Sequence, residues 1–189
     1  LEDNNTDFRG NDLRFSGGIV STANQSLGFN GSRYIVDTVP LDLNGGTFGV
    51  TSAGTNVANA TQINVGGNDW GLTSINFSGY LLLGGADFLP ADTAVRFGFN
   101  TQGRSTGTLD LNGFDQTVGS LDTFQSSSNH GGNQNITGGG TLTVNQTTNT
   151  EYQGRITDGA TATSLVMNGA GTLVLNNLSG TATSNTGTT

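Results

Sequence analysis

The feature that most constrains this chain is a short strand-like hexamer that recurs about every 30 residues. Residues 140–145 read Gly-Thr-Leu-Thr-Val-Asn, and residues 171–176 read Gly-Thr-Leu-Val-Leu-Asn, 31 residues later. Related copies begin upstream at Gly107, Gly79 and Gly46, at successive spacings of 33, 28 and 33 residues, and a weaker sixth copy begins at Gly18. Such a period is typical of repeat proteins, in which each unit buries its apolar face against its neighbours.

The composition favours strands over helices. Gly, Asn, Thr and Ser dominate, whereas the chain has no Lys, one Met and two Glu, so most strong helix formers are scarce. Thr and Val suit strands, and Gly and Asn suit turns. These preferences predict an all-β fold. Because only 32% of the residues are hydrophobic, we expect its core to be thin.

The charge and the absence of cysteine exclude several classes of function. The net charge of −8 arises from 14 acids and six arginines spread along the chain, so no basic patch favours nucleic acid or an anionic membrane. Disulfides and thiolate metal sites are excluded. No segment has the roughly 18 apolar residues of a membrane-spanning helix. Residues 1–4 do not resemble a signal peptide, so we expect a mature or excised segment of a bacterial extracellular protein.

The hydrophobic pattern divides the chain into three parts. Residues 1–40 fit the repeat least well and predict irregular N-terminal strands, which include a β-branched run over residues 33–39. Pro40 ends that run because proline has no N–H for a ladder. Residues 41–178 alternate apolar and polar residues in short strands and predict a solenoid, with loops at residues 66–71, 86–92 and 125–134. Residues 179–189 predict a flexible polar tail.

Short strands between Gly and Asn turns predict a coil whose rungs stack in parallel. The two apolar residues of each repeat would point inward and stack on their equivalents in the next repeat. We therefore expect buried columns of Leu109, Leu111, Leu142, Val144, Leu173 and Leu175. The asparagines that close these strands would lie at one corner as an amide ladder, formed by Asn112, Asn145 and Asn176.

Residues 108–121, 138–144, 152–156 and 169–175 resemble the autotransporter-associated β-strand repeat of passenger domains in large bacterial surface proteins. The similarity is close over residues 89–178 and diffuse before them. The resemblance implies a right-handed parallel β-helix, export to the cell exterior, and a stalk or adhesive role without chemistry of its own. The repeats vary from 28 to 33 residues, and the alternating strands of a C-terminal membrane barrel are missing. Attachment to a cell by such a barrel is therefore not predicted.

The densest group of charged residues is a candidate catalytic cluster of Asp110, Asp115, Asp122 and Arg104. Parallel β-helices host polysaccharide lyases and hydrolases, which use carboxylates on one face for acid/base work or Ca²⁺ binding. However, Asp110 alternates outward between two leucines, and Asp115 and Asp122 fall at turns, where Asp makes local hydrogen bonds. We therefore expect structural roles for these acids and keep a carbohydrate-active enzyme as the alternative.

A calcium site is the second candidate, formed by Asp87 and Asp92 across the Pro90 loop with carbonyl oxygens to complete the shell. Two carboxylates are few for a dedicated site, and residues 84–87 do not match the Gly-Gly-x-Gly-x-Asp motif of Ca²⁺-binding repeats. A loop without metal is favoured, and no cofactor is predicted. His130 is the single histidine and lies in a polar loop without a nucleophile motif, so neither a triad nor a zinc site is predicted.

A sugar-binding surface is the third candidate. Trp70, beside Asn68 and Asp69, would stack on a sugar ring, although a lone ring more often covers a loop, because binding platforms need several rings. Asn-x-Ser/Thr triplets also occur, for example at Asn76 and Asn135, as chance predicts in so Asn- and Thr-rich a chain.

These features predict a non-enzymatic extracellular β-solenoid that serves as a stalk segment or a self-assembling fibre subunit of a bacterial surface. A carbohydrate-active enzyme and a sugar-binding adhesin on the same coil are the alternatives. The strand edges at the two ends, in residues 33–39 and 172–175, would pair head-to-tail with another copy or with flanking repeats of a longer chain. Neither nucleic acid nor membrane insertion is expected.

Overall fold

The structure is a computed structural model, and it describes residues 13–15, 26–30, 34–36, 40–51, 60–98, 106–124, 134–176 and 186–187. Every regular element in these residues is a strand. None of them is a helix with the length and apolarity that a membrane crossing requires. The strands are β1 (Leu13–Phe15), β2 (Ser26–Asn30), β3 (Tyr34–Val36), β4 (Thr47–Thr51), β5 (Thr61–Ile63), β6 (Leu72–Asn76), β7 (Gly79–Leu83), β8 (Ala94–Phe97), β9 (Gly107–Asp110), β10 (Gln116–Val118), β11 (Ser120–Thr123), β12 (Gln134–Thr137), β13 (Gly140–Val144), β14 (Thr150–Tyr152), β15 (Arg155–Ile156), β16 (Thr163–Met167) and β17 (Leu173–Leu175).

The strands stack in parallel into a β-solenoid with three faces, which confirms the predicted fold class. Face 1 is a seven-stranded sheet in the order β1-β3-β5-β7-β9-β12-β15. Face 2 is the five-stranded sheet β2-β4-β6-β8-β11, and the pair β14-β17 continues it because β14 packs against β11. Face 3 contains the sheet β10-β13-β16. Each turn of the chain visits face 1, then face 3, then face 2.

In the earlier turns, face 3 is narrow and depends on a side-chain amide. Asp42 and Asp69 form a single parallel bridge there. The Asn68 Oδ1 accepts a hydrogen bond from the Leu41 N–H at 2.8 Å, and its Nδ2 donates to the carbonyls of Val65 and Phe88, both at 2.7 Å. The amide therefore joins adjacent turns where backbone pairing is sparse.

One apolar column fills the space between the three faces. Four of the predicted core residues, Leu109, Leu111, Leu142 and Val144, are fully buried. Leu173 is only partly buried. The prediction for Leu175 is wrong, because its side chain is 48% exposed on β17, the last described strand of face 2.

The repeats mostly do not stack on their own copies, contrary to the prediction. The copies that start at Gly107, Gly140 and Gly171 lie on face 1, face 3 and face 2, respectively. Gly107 pairs with Gln134, 27 residues later, so a repeat of 33 residues spans one turn and one further strand. Among the copies that the structure describes, only the 28-residue step from Gly79 to Gly107 stays on one face. The weaker copy at Gly18 lies outside the described residues.

The predicted amide ladder is wrong for the same reason, because the three asparagines close strands on different faces. Their side chains bind unrelated partners: Asn112 donates to the Leu83 carbonyl at 3.0 Å, Asn145 accepts from Asn168 at 3.0 Å, and Asn176 donates to Glu151 at 2.8 Å.

The ends of the chain belong partly to the same coil. Strands β1, β2 and β3, which lie in the region predicted to be irregular, pair in parallel with later strands of faces 1 and 2. The boundary at residue 40 stays a prediction. Of the polar tail at residues 179–189, Thr186 and Gly187 are described. Of the polar loop predicted at residues 125–134, only Gln134 is described. The loop prediction is wrong for Gln134, because this residue begins β12 and is fully buried. Its side chain accepts a hydrogen bond from Thr123 Oγ1 at 2.7 Å.

Candidate functional site

The structure does not bring the predicted catalytic acids together. Asp110 ends β9 on face 1, Asp115 precedes β10 on face 3, and Asp122 lies in β11 on face 2. Arg104 lies outside the described residues. A pair of carboxylates for acid/base chemistry must flank one substrate bond, and the three acids do not lie on one face of the coil.

Asp110 is buried, so the prediction that it faces water is wrong. It is 8% exposed, and its carboxylate accepts hydrogen bonds from the Tyr80 hydroxyl and, at 2.9 Å, from the Asn112 N–H. Burial raises the pKa of Tyr80, and the hydrogen bond and charge of Asp110 raise it further. The phenol therefore stays protonated and serves as a donor. The sequence did not show this contact because Tyr80 lies one turn away.

Asp122 lies within a strand and not at the predicted turn. Its carboxylate accepts a hydrogen bond from Arg96 Nε at 3.1 Å on the outer side of face 2. Burial raises the pKa of Asp122, and the Arg96 charge opposes this effect. The pair joins two successive turns, β8 and β11.

Three of the remaining acids, Asp87, Asp115 and Asp158, join one turn of the coil to the next at its corners. In this arrangement, which we call a corner tie, a carboxylate or amide oxygen on one turn accepts a hydrogen bond from a threonine backbone N–H on the following turn. The described ties join Asp87 to Thr117 (2.9 Å), Asp115 to Thr141 (2.8 Å), Asn149 to Thr172 (3.0 Å) and Asp158 to Thr186 (2.9 Å). Three of the four acceptors lie at the corner between faces 1 and 3, and Asn149 lies between faces 3 and 2.

The Asp158 tie is the most extensive. Its carboxylate accepts from the Thr163 N–H at 2.9 Å, and from both the N–H and the hydroxyl of Thr186. The Thr163 amide has the largest effect in lowering the pKa of Asp158, and the two Thr186 donors lower it further. Hydrogen bonds to the charged form of a carboxyl group favour that form. Asp158 therefore holds both Thr163 on its own turn and Thr186 on the following one.

At the candidate calcium site, Asp87 already makes contacts within the chain. Asp87 has φ of 51°, donates its N–H to the Asp115 carbonyl at 3.1 Å, and uses its carboxylate in a corner tie. Asp92 is exposed. Within the part of the chain that the structure describes, no three His, Cys, Asp or Glu side chains are grouped to hold a metal ion. His130 lies outside that part.

Trp70 is a core residue, which rules out the candidate role of a sugar-stacking ring, and residues 66–71 form the predicted loop apart from the single bridge at Asp69. The ring is fully buried and stacks on Phe48 with centroids 4.6 Å apart and planes inclined by 16°. Its Nε1 donates to Thr73 Oγ1 at 2.8 Å, and that oxygen lies 3.0 Å from Thr93 Oγ1. A buried indole needs such a partner.

Of the asparagines in the Asn-x-Ser/Thr triplets, Asn76 is buried and Asn135 is half-buried.

Sequence reasoning missed the buried glutamines. Gln116 Oε1 accepts from the Leu89 N–H at 3.1 Å, and its Nε2 donates to the Leu89 carbonyl at 3.2 Å, so the side chain pairs with Leu89 as a strand would. Gln146 binds the Leu121 N–H and the Thr172 carbonyl, at 3.3 and 2.9 Å, and so spans three turns. The sequence signal that could have revealed the burial of Gln116 is its position, because it stands where the alternation along the strand puts an inward-facing apolar residue. In the structure it pairs with the buried Leu142.

Comparisons of the chain with protein-family models, curated proteins and solved structures each found no match. The resemblance to the autotransporter-associated repeat therefore stays a prediction.

Proposed function

We propose that this protein is a non-enzymatic structural β-solenoid, a stalk segment or fibre subunit on the outside of a bacterial cell. The observation that supports it best is the use of its acids. Of the nine acidic residues that the structure describes, seven bond through their carboxylates to other groups of the same chain: Asp42, Asp87, Asp110, Asp115, Asp122, Glu151 and Asp158.

These bonds make the coil rigid. Hydrogen bonds to charged groups contribute about 1.5–3 kcal/mol each where they are protected from water, and less where they are exposed. Because the corner ties run along the axis, they oppose sliding and separation of adjacent turns. A carboxylate already held by backbone N–H groups is a poor general acid or base, since catalysis requires it to exchange a proton with a substrate.

The extracellular location is supported by the chain's chemistry. A cysteine-free chain of net charge −8 rich in Gly, Asn and Thr suits an exported repeat protein. The resemblance to bacterial passenger-domain repeats leads to the same location.

A carbohydrate-active enzyme is the competing function, and the exposed Asp69 and Asp92 are the acids to test for it. The chain should be incubated with a panel of neutral and acidic polysaccharides, and new reducing ends should be measured. We expect no turnover. Turnover that disappears in Asp69→Asn or Asp92→Asn, without a change in thermal unfolding, would refute the structural function.

The structural role itself can be tested with a matched pair of substitutions. Asp115→Ala removes a corner tie and should lower the free energy of unfolding by about 1 kcal/mol. Asp92→Ala removes an exposed acid that makes no hydrogen bond among the described residues, and it should change that energy by less than about 0.5 kcal/mol. Equal effects of the two substitutions would argue against the ties.

A further inference from the structure

Alternation along the strands does not by itself fix the register between turns. A strand that slips by one residue turns its apolar side chains outward, whereas a slip of two residues keeps them inward. In the sheet β10-β13-β16, a slip of β13 by two residues would put Val144 in the place of Leu142, and both side chains are aliphatic and fully buried. Another feature must therefore select the observed register, in which Leu142 pairs with Gln116 and Leu165.

Gln116 lies in β10 at a point where the preceding turn offers no strand. Residues 84–93, all of which the structure describes, contain no strand. The Gln116 side chain is 1% exposed and binds both the N–H and the carbonyl of Leu89 in that segment, at 3.1 and 3.2 Å. The carboxamide thus takes the place of a strand that would pair with β10.

Gln146 lies in the corner after β13, joins three successive turns and is 1% exposed. Its Oε1 accepts a hydrogen bond from the Leu121 N–H of β11 at 3.3 Å, and its Nε2 donates to the carbonyl of Thr172, the residue before β17, at 2.9 Å. In the described sheets, β11 does not pair with β14. Gln146 therefore also fills a gap in the backbone ladder.

A slip would move these amides away from the gaps. If β13 slipped by two residues, the Gln146 carboxamide would enter the apolar column of Val118, Val144 and Met167. The ladder already uses the backbone beside that column, since the Val118 carbonyl accepts the Asn145 N–H at 2.9 Å. A buried carboxamide without partners costs free energy, so the amide opposes a slip that the aliphatic side chains allow.

We propose that Gln116 and Gln146 are positioning residues, which select the register of β10 and β13 among those that alternation allows. Buried polar side chains select the register of coiled coils in the same way. This role accounts for a polar residue at the start of the inward column that continues through Leu142 and Leu165. The aliphatic side chains then supply the core, and the two amides decide how successive turns align.

Cysteine pairs on the outer side of face 3 measure this register, because the chain has no cysteine of its own. Thr117→Cys/Thr143→Cys joins residues that are paired in the observed register, at a spacing that a disulfide spans. Thr117→Cys/Asn145→Cys joins residues that would be paired only after the slip and are otherwise too far apart. Oxidation of dilute protein, followed by thiol counting, should close the first pair and leave the second open.

Gln146→Met removes the amide but keeps a side chain of similar length. In this background the closed fraction of the second pair should rise about tenfold, the effect of one buried hydrogen-bonding group on an equilibrium. Gln116→Met should raise the same fraction through a slip of β10, and it does not depend on the folding of the Gln146 variant. The control Leu142→Met alters packing in the same sheet without removing a polar group, so it should leave the fraction unchanged.

Thermal unfolding of each variant separates positioning from plain stabilisation. A merely stabilising role of the glutamines would lower the midpoint without changing which cysteine pair closes, and that result would overturn the inference. An equal rise in the closed fraction for Leu142→Met would overturn it as well. The polysaccharide assay and the corner-tie substitutions would still test the structural function separately.

Discussion

The turn that contains β13 and β14 and the turn that contains β16 and β17 carry side chains of the same kind in the same columns, yet they differ in burial. Val144 and Tyr152 are inaccessible to water, whereas their partners Met167 and Leu175 are exposed. The strands alternate in the same way, so the difference comes from the following turn: β16 and β17 cover the first pair, whereas no strand among the described residues lies beyond the second. In a solenoid, a residue is buried by its neighbours in the next turn as much as by its own repeat.

The largest expected difference between the two turns concerns a charge placed in the core. Leu142→Asp puts a carboxylate into a dry column and should cost about 3–5 kcal/mol of unfolding free energy. Leu175→Asp should cost less than about 1 kcal/mol, because its carboxylate remains hydrated. Urea denaturation of dilute protein measures both values. Similar losses would show that β17 is covered in solution.

A smaller difference is expected for polar side chains. Gln116 is fully buried and pairs with both backbone groups of Leu89, so Gln116→Ala should cost about 1–3 kcal/mol by leaving those groups unsatisfied. Asn176 is exposed and donates to Glu151, so Asn176→Ala should cost less than about 0.5 kcal/mol. Chemical denaturation provides both values, and a larger loss for Asn176 would contradict the comparison.

The tail should detach at low pH before the interior turns separate. Because hydrogen bonds lower the folded-state pKa of Asp158, its stabilising effect is complete above the ordinary Asp pKa of about 3.9 and is lost as pH falls through the lowered value. Amide exchange of Thr186, followed by NMR against pH, should accelerate in that range and should already be fast in Asp158→Asn. The Leu111 amide, which donates to the Thr137 carbonyl and not to a carboxylate, is the control. Simultaneous loss of protection at both amides would indicate global unfolding instead.

The smallest expected effect is that of metal removal. The Asp87 carboxylate already accepts the Thr117 N–H, so we do not expect the loop that it shares with Asp92 to depend on an ion. We expect EDTA to leave the thermal midpoint unchanged within about 2 °C. A larger fall that Ca²⁺ reverses would restore the calcium hypothesis for this loop.

The sequence predicted the strands well because inward and outward residues alternate along them, as at Leu142 and Val144. It failed at positions where polarity and burial disagree. Gln116 and Gln134 are polar but lie inside, because the amides satisfy backbone and side-chain groups of adjacent turns. Trp70 lies between strands, as predicted, but its burial was not predicted, because it comes from Phe48, 22 residues away, which stacks on the ring, and from Thr73, which accepts its indole N–H.

The sequence by itself determined that this chain is all-β, that it is built from parallel turns, and that its core is thin, because these properties follow from local alternation and composition. The tertiary structure alone decided which face each repeat occupies. A turn takes between 20 and 28 residues, depending on the corner loops, so the sequence period of about 30 does not give the period of the coil. For the same reason, the acids that seemed clustered along the chain are separated, with Asp110 on face 1, Asp115 at the corner between faces 1 and 3, and Asp122 on face 2. Asp158 likewise meets Thr186 across 28 residues.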